Sequence, residues 1–541
     1  MTGDERRLFA GVLVVAAALA SPLRGGSEKR TLDLAHALSH GRLSIDVETR
    51  GATFDRALVP RESPAALVAL GTPLPRDVPF ARGHVYSGGP PGHALALLPF
   101  YFVLDRLAPA PLRDLLLVIL GASVPLAFAA VFVRRAVERA TGCTPGQAFA
   151  SAAIFALGTT ALPYGTRLFG HALALALLSG ALALLLAEGR PRYALAGFLA
   201  AASVVTDHVL VLPAGALFLV ALRAGGAASF VLGALPPAIV LGAYDQACFG
   251  SPFATAYDHR ADPEVRALLG RGVKGFVAPS PWIFLELLAS GRGLAATAPV
   301  ALAGLAGLVA GARERPEARL ALAVALLVLL ANASRALDWE GGWSYGARYS
   351  LAALPFLALG LPRGLALLGR ARRPLVATSI FLAWVGATVD WGFAQTLLGN
   401  LRELVILGPR ARGVTALVLG TSPMAVSTGT ALVSAFVLSV AFSVAHRILR
   451  RGTRGRAVPA IVALAPWVAS IPFHVRHATG GDASVRAAFR ASHVTEIVAI
   501  LETTRESRVA RGLHSETELL GDPELVRRVD DRARELEASG H

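Results

Sequence analysis

The chain contains few charged residues and almost no cysteine. Only 16% of its 541 residues are charged, 54% are hydrophobic, and the mean hydropathy is +0.55. A soluble domain cannot bury so much apolar sequence, so the composition excludes a soluble globular protein. The two cysteines, Cys143 and Cys248, fall on opposite sides of the predicted membrane topology, which excludes a structural disulfide between them. No internal repeat of roughly 20 to 50 residues is recognisable, so a solenoid is not expected.

Apolar runs of membrane-spanning length recur along the chain. A spanning helix needs about 20 apolar residues, and the runs predict an all-α polytopic membrane protein with about 11–13 transmembrane helices. The runs are residues 8–23, 112–133, 146–162, 168–187, 192–206, 208–222, 229–247, 293–311, 318–333, 350–362, 375–392, 423–445 and 457–472.

Arginines cluster in alternate connections between these runs. The clusters are Arg6 and Arg7; Arg134, Arg135 and Arg139; Arg190 and Arg192; Arg313, Arg315 and Arg319; Arg363, Arg370, Arg372 and Arg373; and Arg447, Arg450, Arg451, Arg454 and Arg456. The positive-inside rule places all of them in the cytoplasm. The net charge of +15 therefore indicates orientation and contact with anionic lipids, and nucleic acid is not expected as a partner.

This topology divides the chain into five parts. We predict a first transmembrane helix (1–23), an extracytoplasmic loop with juxtamembrane helices (24–111), a transmembrane core (112–392), C-terminal transmembrane helices (393–472) and an extracytoplasmic helical tail (473–541). The scheme requires residues 93–108 to form a juxtamembrane or re-entrant helix of the first loop. One alternative for the N-terminus is a secretory signal, because Ala18-Leu19-Ala20 after an apolar run also resembles a cleavage site.

The first external loop contains an unusual concentration of ionisable groups. If residues 27–40 are helical, Lys29, Asp33, His36 and His40 share one face. Such an amphipathic helix lies on a membrane surface and needs no further function, since its polar face is usually solvated. The turn Gly88-Gly89-Pro90-Pro91-Gly92 favours a functional interpretation, because it returns His84 and Tyr86 to the membrane.

Further polar groups lie at the other extracytoplasmic ends of the runs. They are Arg167, His171, Asp207, Tyr257, Arg292, Trp339, Glu340 and Arg348. Ionisable groups at membrane depth are costly, which makes them candidates for function. The ordinary alternatives are a helix cap for Asp207, a packed core histidine for His171 and an interfacial anchor for Trp339.

In combination these motifs resemble the GT-C superfamily of membrane glycosyltransferases. The resemblance spans about residues 8–390 and rests on the acidic first loop, Gly-His-Val-Tyr-Ser (83–87), Phe-Gly-His (169–171), Cys-Phe-Gly-Ser-Pro (248–252) and Gly-Gly-Trp-Ser-Tyr-Gly-Ala-Arg-Tyr (341–349). It is closest to poorly characterised bacterial members and more remote from lipid A aminoarabinose transferases and protein O-mannosyltransferases. The expected fold is a GT-C-like bundle in the bacterial inner membrane.

The resemblance implies transfer of a sugar from a polyprenyl-phosphate donor to an extracytoplasmic glycan, lipid or protein. In the family an acid just past the first span is the catalytic base, which corresponds to Glu28, with Asp33 as its rival. The implied substrate-binding residues are Arg30, Asp77, His84, Tyr86, Arg167, His171, Asp207, Tyr257, Arg292, Trp339, Glu340 and Arg348. Arg292 or Arg348 would hold the departing phosphate, because guanidinium suits its geometry.

The chain departs from the family pattern at several of these positions. The remote relatives have an acidic pair or Asp-Glu where this chain has Ser27-Glu28. They also have an Asp where His171 stands and a Lys where Asp207 stands, and the closer ones have an Asp-Lys pair at Gly88-Gly89. No cofactor is specified; a divalent metal held by Asp77, His84 and His171 is an alternative to direct carboxylate and arginine chemistry.

Two other functions remain open. A lipid-linked saccharide transporter or flippase explains the spans but not the acid-bearing first loop, and it should show two matching halves with broken helices, which the sequence lacks. An inactive GT-C-like scaffold is compatible with the departures from the family pattern.

The arginine pattern predicts a cytoplasmic N-terminus and an extracytoplasmic C-terminal tail. A single cysteine at position 500, in a chain lacking Cys143 and Cys248, should therefore react with an impermeant thiol reagent added from outside the membrane. Reaction from the cytoplasmic side alone would contradict the topology.

Overall fold

A computed structural model of the chain describes residues 1–21, 26–45, 56–60, 83–187, 192–259, 269–335, 339, 341, 344–389, 397–411, 413–419, 425–435, 498, 501–502, 517 and 523–539. This part of the chain is predominantly helical, with one two-stranded antiparallel sheet. The predicted all-α polytopic membrane architecture is confirmed.

The helices and strands follow in order along the chain. They are α1 (Gly3–Ala18), α2 (Gly26–Ser39), β1 (Arg56–Pro60), β2 (Gly83–Ser87), α3 (Gly92–Leu107), α4 (Ala110–Val118), α5 (Val124–Thr141), α6 (Pro145–Leu157), α7 (Ala161–Gly165), α8 (His171–Leu185), α9 (Tyr193–Thr206), α10 (Val211–Arg223), α11 (Ala227–Phe249), α12 (Pro281–Ala289), α13 (Leu294–Thr297), α14 (Pro299–Gly311), α15 (Pro316–Ala333), α16 (Leu354–Leu359), α17 (Leu361–Leu367), α18 (Arg372–Thr388), α19 (Leu397–Leu407), α20 (Gly413–Leu419), α21 (Ala425–Ala435) and α22 (Pro523–Ala538). Short 3-10 turns lie at His208–Leu210, Arg348–Ala353 and Gly369–Ala371, and a π turn at Ile119–Ser123 joins α4 to α5.

Three helical segments in the described residues are long and apolar enough to cross a membrane. They are Ala110–Thr141, Ala227–Phe249 and Pro316–Ala333, and two bent helix pairs raise the number to five if each pair is one span. This count covers only the described residues; the predicted run 457–472 and part of the run 423–445 lie outside them. Several other predicted runs form shorter or bent helices. Pro299 and Leu361, for example, each begin a new helix after a bend of 114° and 72° respectively.

The chain divides into two compact units. Unit 1 comprises residues 1–22, 103–240 and 277–472, and unit 2 comprises residues 23–102, 241–276 and 473–541. Both cysteines are free thiols.

One end of unit 1, here called the arginine end, brings predicted cytoplasmic connections together. Glu5 in α1 accepts hydrogen bonds from Arg135 Nε (2.8 Å) and Nη2 (3.0 Å), and Arg134 Nη1 lies 3.3 Å from the same carboxylate. Arg315 donates to the carbonyl of Ala140 at the end of α5. The arginine clusters around residues 6, 135 and 315 are therefore neighbours at one end of the unit.

The other end of unit 1, here called the loop end, joins the predicted extracytoplasmic connections. Ser21 N donates to Thr166 O at 2.9 Å, and Arg167 Nη2 donates to Val389 O at 2.6 Å. Ser123, at the start of α5, donates to Gly165 O. Since α5 has 18 residues, it separates the two ends by about 27 Å at 1.5 Å per residue.

Helix pairs in unit 1 pack through glycine. A Cβ atom on Gly307 or Gly360 would collide with backbone atoms of the facing helix, so α14 and α17 meet backbone to backbone. Small residues permit such close approach, which gives apolar helices dispersion contacts that lipid would not otherwise supply.

Unit 2 contains α2 and a hairpin that the sequence did not predict. Strands β1 and β2 pair antiparallel with Arg56 opposite Ser87, and α2 packs beside β2. The predicted helix over residues 27–40 is confirmed, and so is a helix over 93–108, observed as α3. The polar face of α2 is not solvated along its whole length. Asp33 is fully buried, which contradicts the alternative of a solvated face at that residue, whereas His40 is exposed.

The ion pairs of Glu5 with Arg134 and Arg135 predict that the folded protein becomes less stable in acid. The hydrogen bond from Arg135 lowers the pKa of Glu5 from its usual 4.5 to about 2; burial opposes this shift, while the Thr2 amide and the two arginine charges add to it. The ionised carboxylate therefore stabilises the folded protein above pH 4.5, and this contribution is lost as the pH falls from 4.5 through 2.

Glu5→Gln should thus reduce the free energy of unfolding by about 3 kcal/mol at neutral pH, because it removes one partner of a buried ion pair. The difference from wild type should shrink in thermal melts as the pH approaches 2. Asp4→Asn is the matched control, since Asp4 lies in the same helical turn but forms an exposed pair with Arg7. Equal melting temperatures for the two variants at pH 7 would contradict this account.

Candidate functional site

Two of the predicted site residues of unit 2 are buried carboxylates on α2. Glu28 and Asp33 both have 0% exposure. Buried ionised groups are costly in an apolar protein, so carboxylates at such positions are candidates for function. Leu32 and Leu34 of the same helix are also buried, at 1% exposure, so the helix is enclosed on more than one side.

Arg30, one turn from Asp33, lies against the glycine turn that follows β2. A Cβ atom on Gly89 would stand only 2.5 Å from Arg30 Nη1 and 2.6 Å from its Cζ. The guanidinium group therefore occupies the space that any side chain at residue 89 would need.

Aromatic rings surround the end of the hairpin in unit 2. The ring of Tyr86 is buried and meets Phe249 edge to face at 5.6 Å, and Phe249 stacks on His259 at 5.1 Å. His84 is exposed, with its ring 6.1 Å from that of Tyr86. Tyr257 is half-buried in the loop that follows Phe249. The Cys-Phe-Gly-Ser-Pro loop and the hairpin thus form one aromatic cluster.

The loop end of unit 1 holds a second group of predicted residues. His171 Nδ1 lies 2.9 Å from Asp207 Oδ2, and Asp207 Oδ1 accepts a hydrogen bond from the Val209 amide. Burial would raise the pKa of Asp207, but the hydrogen bond and charge of His171 and the Val209 amide outweigh burial, so the pKa is lowered. Asp207 therefore both caps a 3-10 turn and forms a pair with His171.

Arg348 joins this pair at a small cavity. His171, Asp207, Arg348 and Tyr349 supply its polar lining, and the remaining wall is apolar. Arg348 Nη2 donates to the Tyr349 hydroxyl at 3.0 Å, and the guanidinium of Arg335 stacks on the Tyr349 ring at 3.7 Å. Cations and an acid therefore face one space at the loop end.

Arg292 lies in the same region, close to the Gly-Gly-Trp-Ser loop. Its Nη2 donates to Ser344 O (3.3 Å) and Oγ (3.2 Å), and its carbonyl accepts from the Ala347 amide. The hydroxyl of buried Tyr164 donates to Tyr345 O at 3.1 Å. Burial raises the pKa of Tyr164 to about 12, against the opposing charges of Arg348 and Arg292, so the phenol stays neutral.

The structure thus brings Arg167, His171, Asp207, Arg292 and Arg348 to the loop end of unit 1. Arg167 is buried and holds the carbonyl of Val389, a contact that joins two connections. Trp339 is half-buried, while Glu340 and Asp77 lie outside the described residues. The metal alternative, which needs Asp77, stays a prediction; the described residues contain no group of three His, Cys, Asp or Glu side chains suited to a metal ion.

Sequence reasoning did not select Tyr164, Ser344, Tyr349 or Arg335 as site residues. Three of them lie inside motifs that are visible in the sequence. Tyr164 begins Tyr-Gly-Thr-Arg, and Ser344 and Tyr349 belong to Trp-Ser-Tyr-Gly-Ala-Arg-Tyr. Ser344 and Tyr349 form hydrogen bonds with Arg292 and Arg348, and Tyr164 binds the carbonyl of Tyr345. No spacing along the chain reveals these contacts.

Comparison with known proteins gives one structural likeness. No protein-family model matches this chain, and no curated protein matches it significantly. The crystal structure of ArnT from Cupriavidus metallidurans bound to undecaprenyl phosphate matches with 14% sequence identity and a TM-score of 0.43, over 92% of this chain and 80% of that one. Identity and TM-score at this level support no conclusion about activity, ligand or site residues.

The contact between His171 and Asp207 suggests a test of whether the two side chains act as a pair. Asp207→Asn should destabilise the protein by about 1–3 kcal/mol, since a partly buried histidine loses its charged partner. His171→Asn should cost a similar amount, and the double variant should cost less than the sum. The exchanged variant, His171→Asp with Asp207→His, should recover part of the loss. Strictly additive melting shifts, with no recovery on exchange, would show that the two side chains do not act as a pair.

Proposed function

We propose that the chain is a membrane glycosyltransferase that moves a sugar from a polyprenyl-phosphate donor to an extracytoplasmic acceptor. The observation that carries the proposal is the pair of arginines at the loop end of unit 1, where Arg348 lines a cavity with His171 and Asp207 and Arg292 is held by Ser344. A phosphate-linked sugar brings its own leaving group, so the protein needs cations for the phosphate and a base for the acceptor.

The arginine group suits a phosphate chemically. Guanidinium groups form paired hydrogen bonds to phosphate oxygens, and Ser344 and Tyr349 fix the orientation of Arg292 and Arg348 through hydrogen bonds. A neutral Tyr164 does not repel an anion. We assign Arg292 and Arg348 to the departing phosphate and the cavity at His171 and Asp207 to polar groups of the substrate.

A carboxylate on α2 supplies the base in this proposal. Glu28 occupies the family position of the catalytic acid, and both Glu28 and Asp33 are withdrawn from water. Arg30 is a cation on the same helix, and we assign it to the substrate in place of the lysine that the family has at residue 89.

Glu28→Gln preserves the shape of the side chain and removes its basicity. Transfer by the purified protein, measured over a panel of polyprenyl-phosphate sugars, should fall by ~10²-fold or more, while binding of the donor lipid persists. Asp33→Asn should reduce transfer less. Glu314→Gln is the matched control, because Glu314 is exposed and pairs with Arg363 at the arginine end.

The outcomes of this comparison distinguish the candidates. A silent Glu28→Gln with an inactive Asp33→Asn would assign the base to Asp33. Normal transfer by both variants would contradict a base on α2. A wild-type protein that transfers no sugar but moves a lipid-linked saccharide across vesicles would instead be a transporter.

Gly89 offers a separate test of Arg30. A methyl group at residue 89 must displace the guanidinium of Arg30. Because this group is the flexible end of the Arg30 side chain, it can move aside, and Gly89→Ala should leave the melting temperature almost unchanged. Transfer should fall by up to about 10²-fold, as in Arg30→Gln, because the cation has moved. The double variant Arg30→Ala with Gly89→Lys should restore part of the activity.

Gly11→Ala serves as the control, since a Cβ atom there meets no neighbour within 4 Å. Full activity of Gly89→Ala would show that the position of the Arg30 guanidinium does not matter for transfer.

A further inference from the structure

The arginine end of unit 1 contains a cavity that the proposed transfer does not use. It opens between α5, α8 and α9 and has a volume of about 530 Å³. Three arginines line it, Arg135, Arg139 and Arg192. The rest of the wall is largely apolar and includes Phe132, Leu195 and Leu199. A space of this size holds far more than single waters, each of which takes about 30 Å³ in the liquid.

The three arginines differ in what holds them. Glu5 binds Arg135 in a bidentate pair, so that guanidinium is fixed in place. Arg139 donates to the carbonyl of Ala183 in the facing helix, and Arg192 is exposed just before α9 begins. Within the described residues, neither Arg139 nor Arg192 forms a salt bridge, so both keep their charge available to an anion.

The lining also has the two-part character of a lipid site. Leu195 is exposed next to the arginines, and Phe132 and Leu199 continue the apolar surface along the helices. A ligand that fits must combine an anion with hydrocarbon. Because the arginine pattern predicts that this end faces the cytoplasm, the anionic lipids of that leaflet are the available partners.

We infer that this cavity binds the phosphodiester headgroup of an anionic phospholipid, with Arg139 and Arg192 contacting the phosphate. Guanidinium groups match phosphate oxygens in geometry, and Arg135 adds a fixed positive charge. A zwitterionic headgroup fits less well, because its own cation would face the same arginines. The site lies at the opposite end of unit 1 from Arg292 and Arg348 and does not depend on the proposed transfer reaction.

Titration of the full-length protein in detergent with phosphatidylglycerol, followed by native mass spectrometry, measures this binding. Arg192→Gln should weaken it about fivefold, the effect expected for one basic residue next to an anionic headgroup. Ala187→Phe keeps every charge and fills the cavity, so it should weaken binding at least as much. Arg319→Gln, an exposed arginine outside the cavity lining, is the matched control and should bind as wild type does.

Two competitors identify the ligand class. Phosphatidylcholine should bind more weakly than phosphatidylglycerol, and inorganic phosphate in millimolar excess should not displace the lipid. Equal effects of Arg192→Gln and Arg319→Gln would overturn the assignment. So would equal binding of the two lipids, or displacement by inorganic phosphate, which would indicate a site for a free anion. Thermal melts without lipid confirm that each variant is folded before binding is compared.

Discussion

Each buried charge in this protein needs a partner inside the protein, because an apolar helical bundle offers it little water. This constraint explains the contacts at both ends of unit 1. At the arginine end, one carboxylate, Glu5, holds both Arg134 and Arg135. At the loop end, Asp207 holds His171, and carbonyl and hydroxyl oxygens hold Arg167 and Arg292. The first group joins helices, whereas His171 and Asp207 of the second line a small cavity.

The same constraint accounts for two further contacts. His171 and Asp207 face each other across a hydrogen bond at the loop end. In unit 2, Gly89 has no side chain, and the guanidinium of Arg30 stands where that side chain would be. The glycine therefore leaves room for a charged group next to the turn.

The sequence predicted the helical membrane architecture and the helices α2 and α3, because hydropathy and periodicity are local properties. It also selected five residues that meet at the loop end of unit 1. It did not predict the hairpin, whose strands are separated by more than twenty residues, or the burial of Asp33, since helical periodicity alone placed that residue on a polar face. The sequence also did not predict that Arg30 lies against the glycine turn, or that the charges of two arginines act on Tyr164. These interactions join segments that are far apart along the chain.

The central claim of this account is that the arginines at the loop end hold the phosphate of a lipid-linked sugar. A density map of the protein with a polyprenyl phosphate bound tests it most directly. The account predicts that the phosphate lies within hydrogen-bonding distance of Arg292 or Arg348, with His171 and Asp207 lining the adjoining space. A phosphate bound elsewhere, with neither guanidinium group within hydrogen-bonding distance of it, would contradict it.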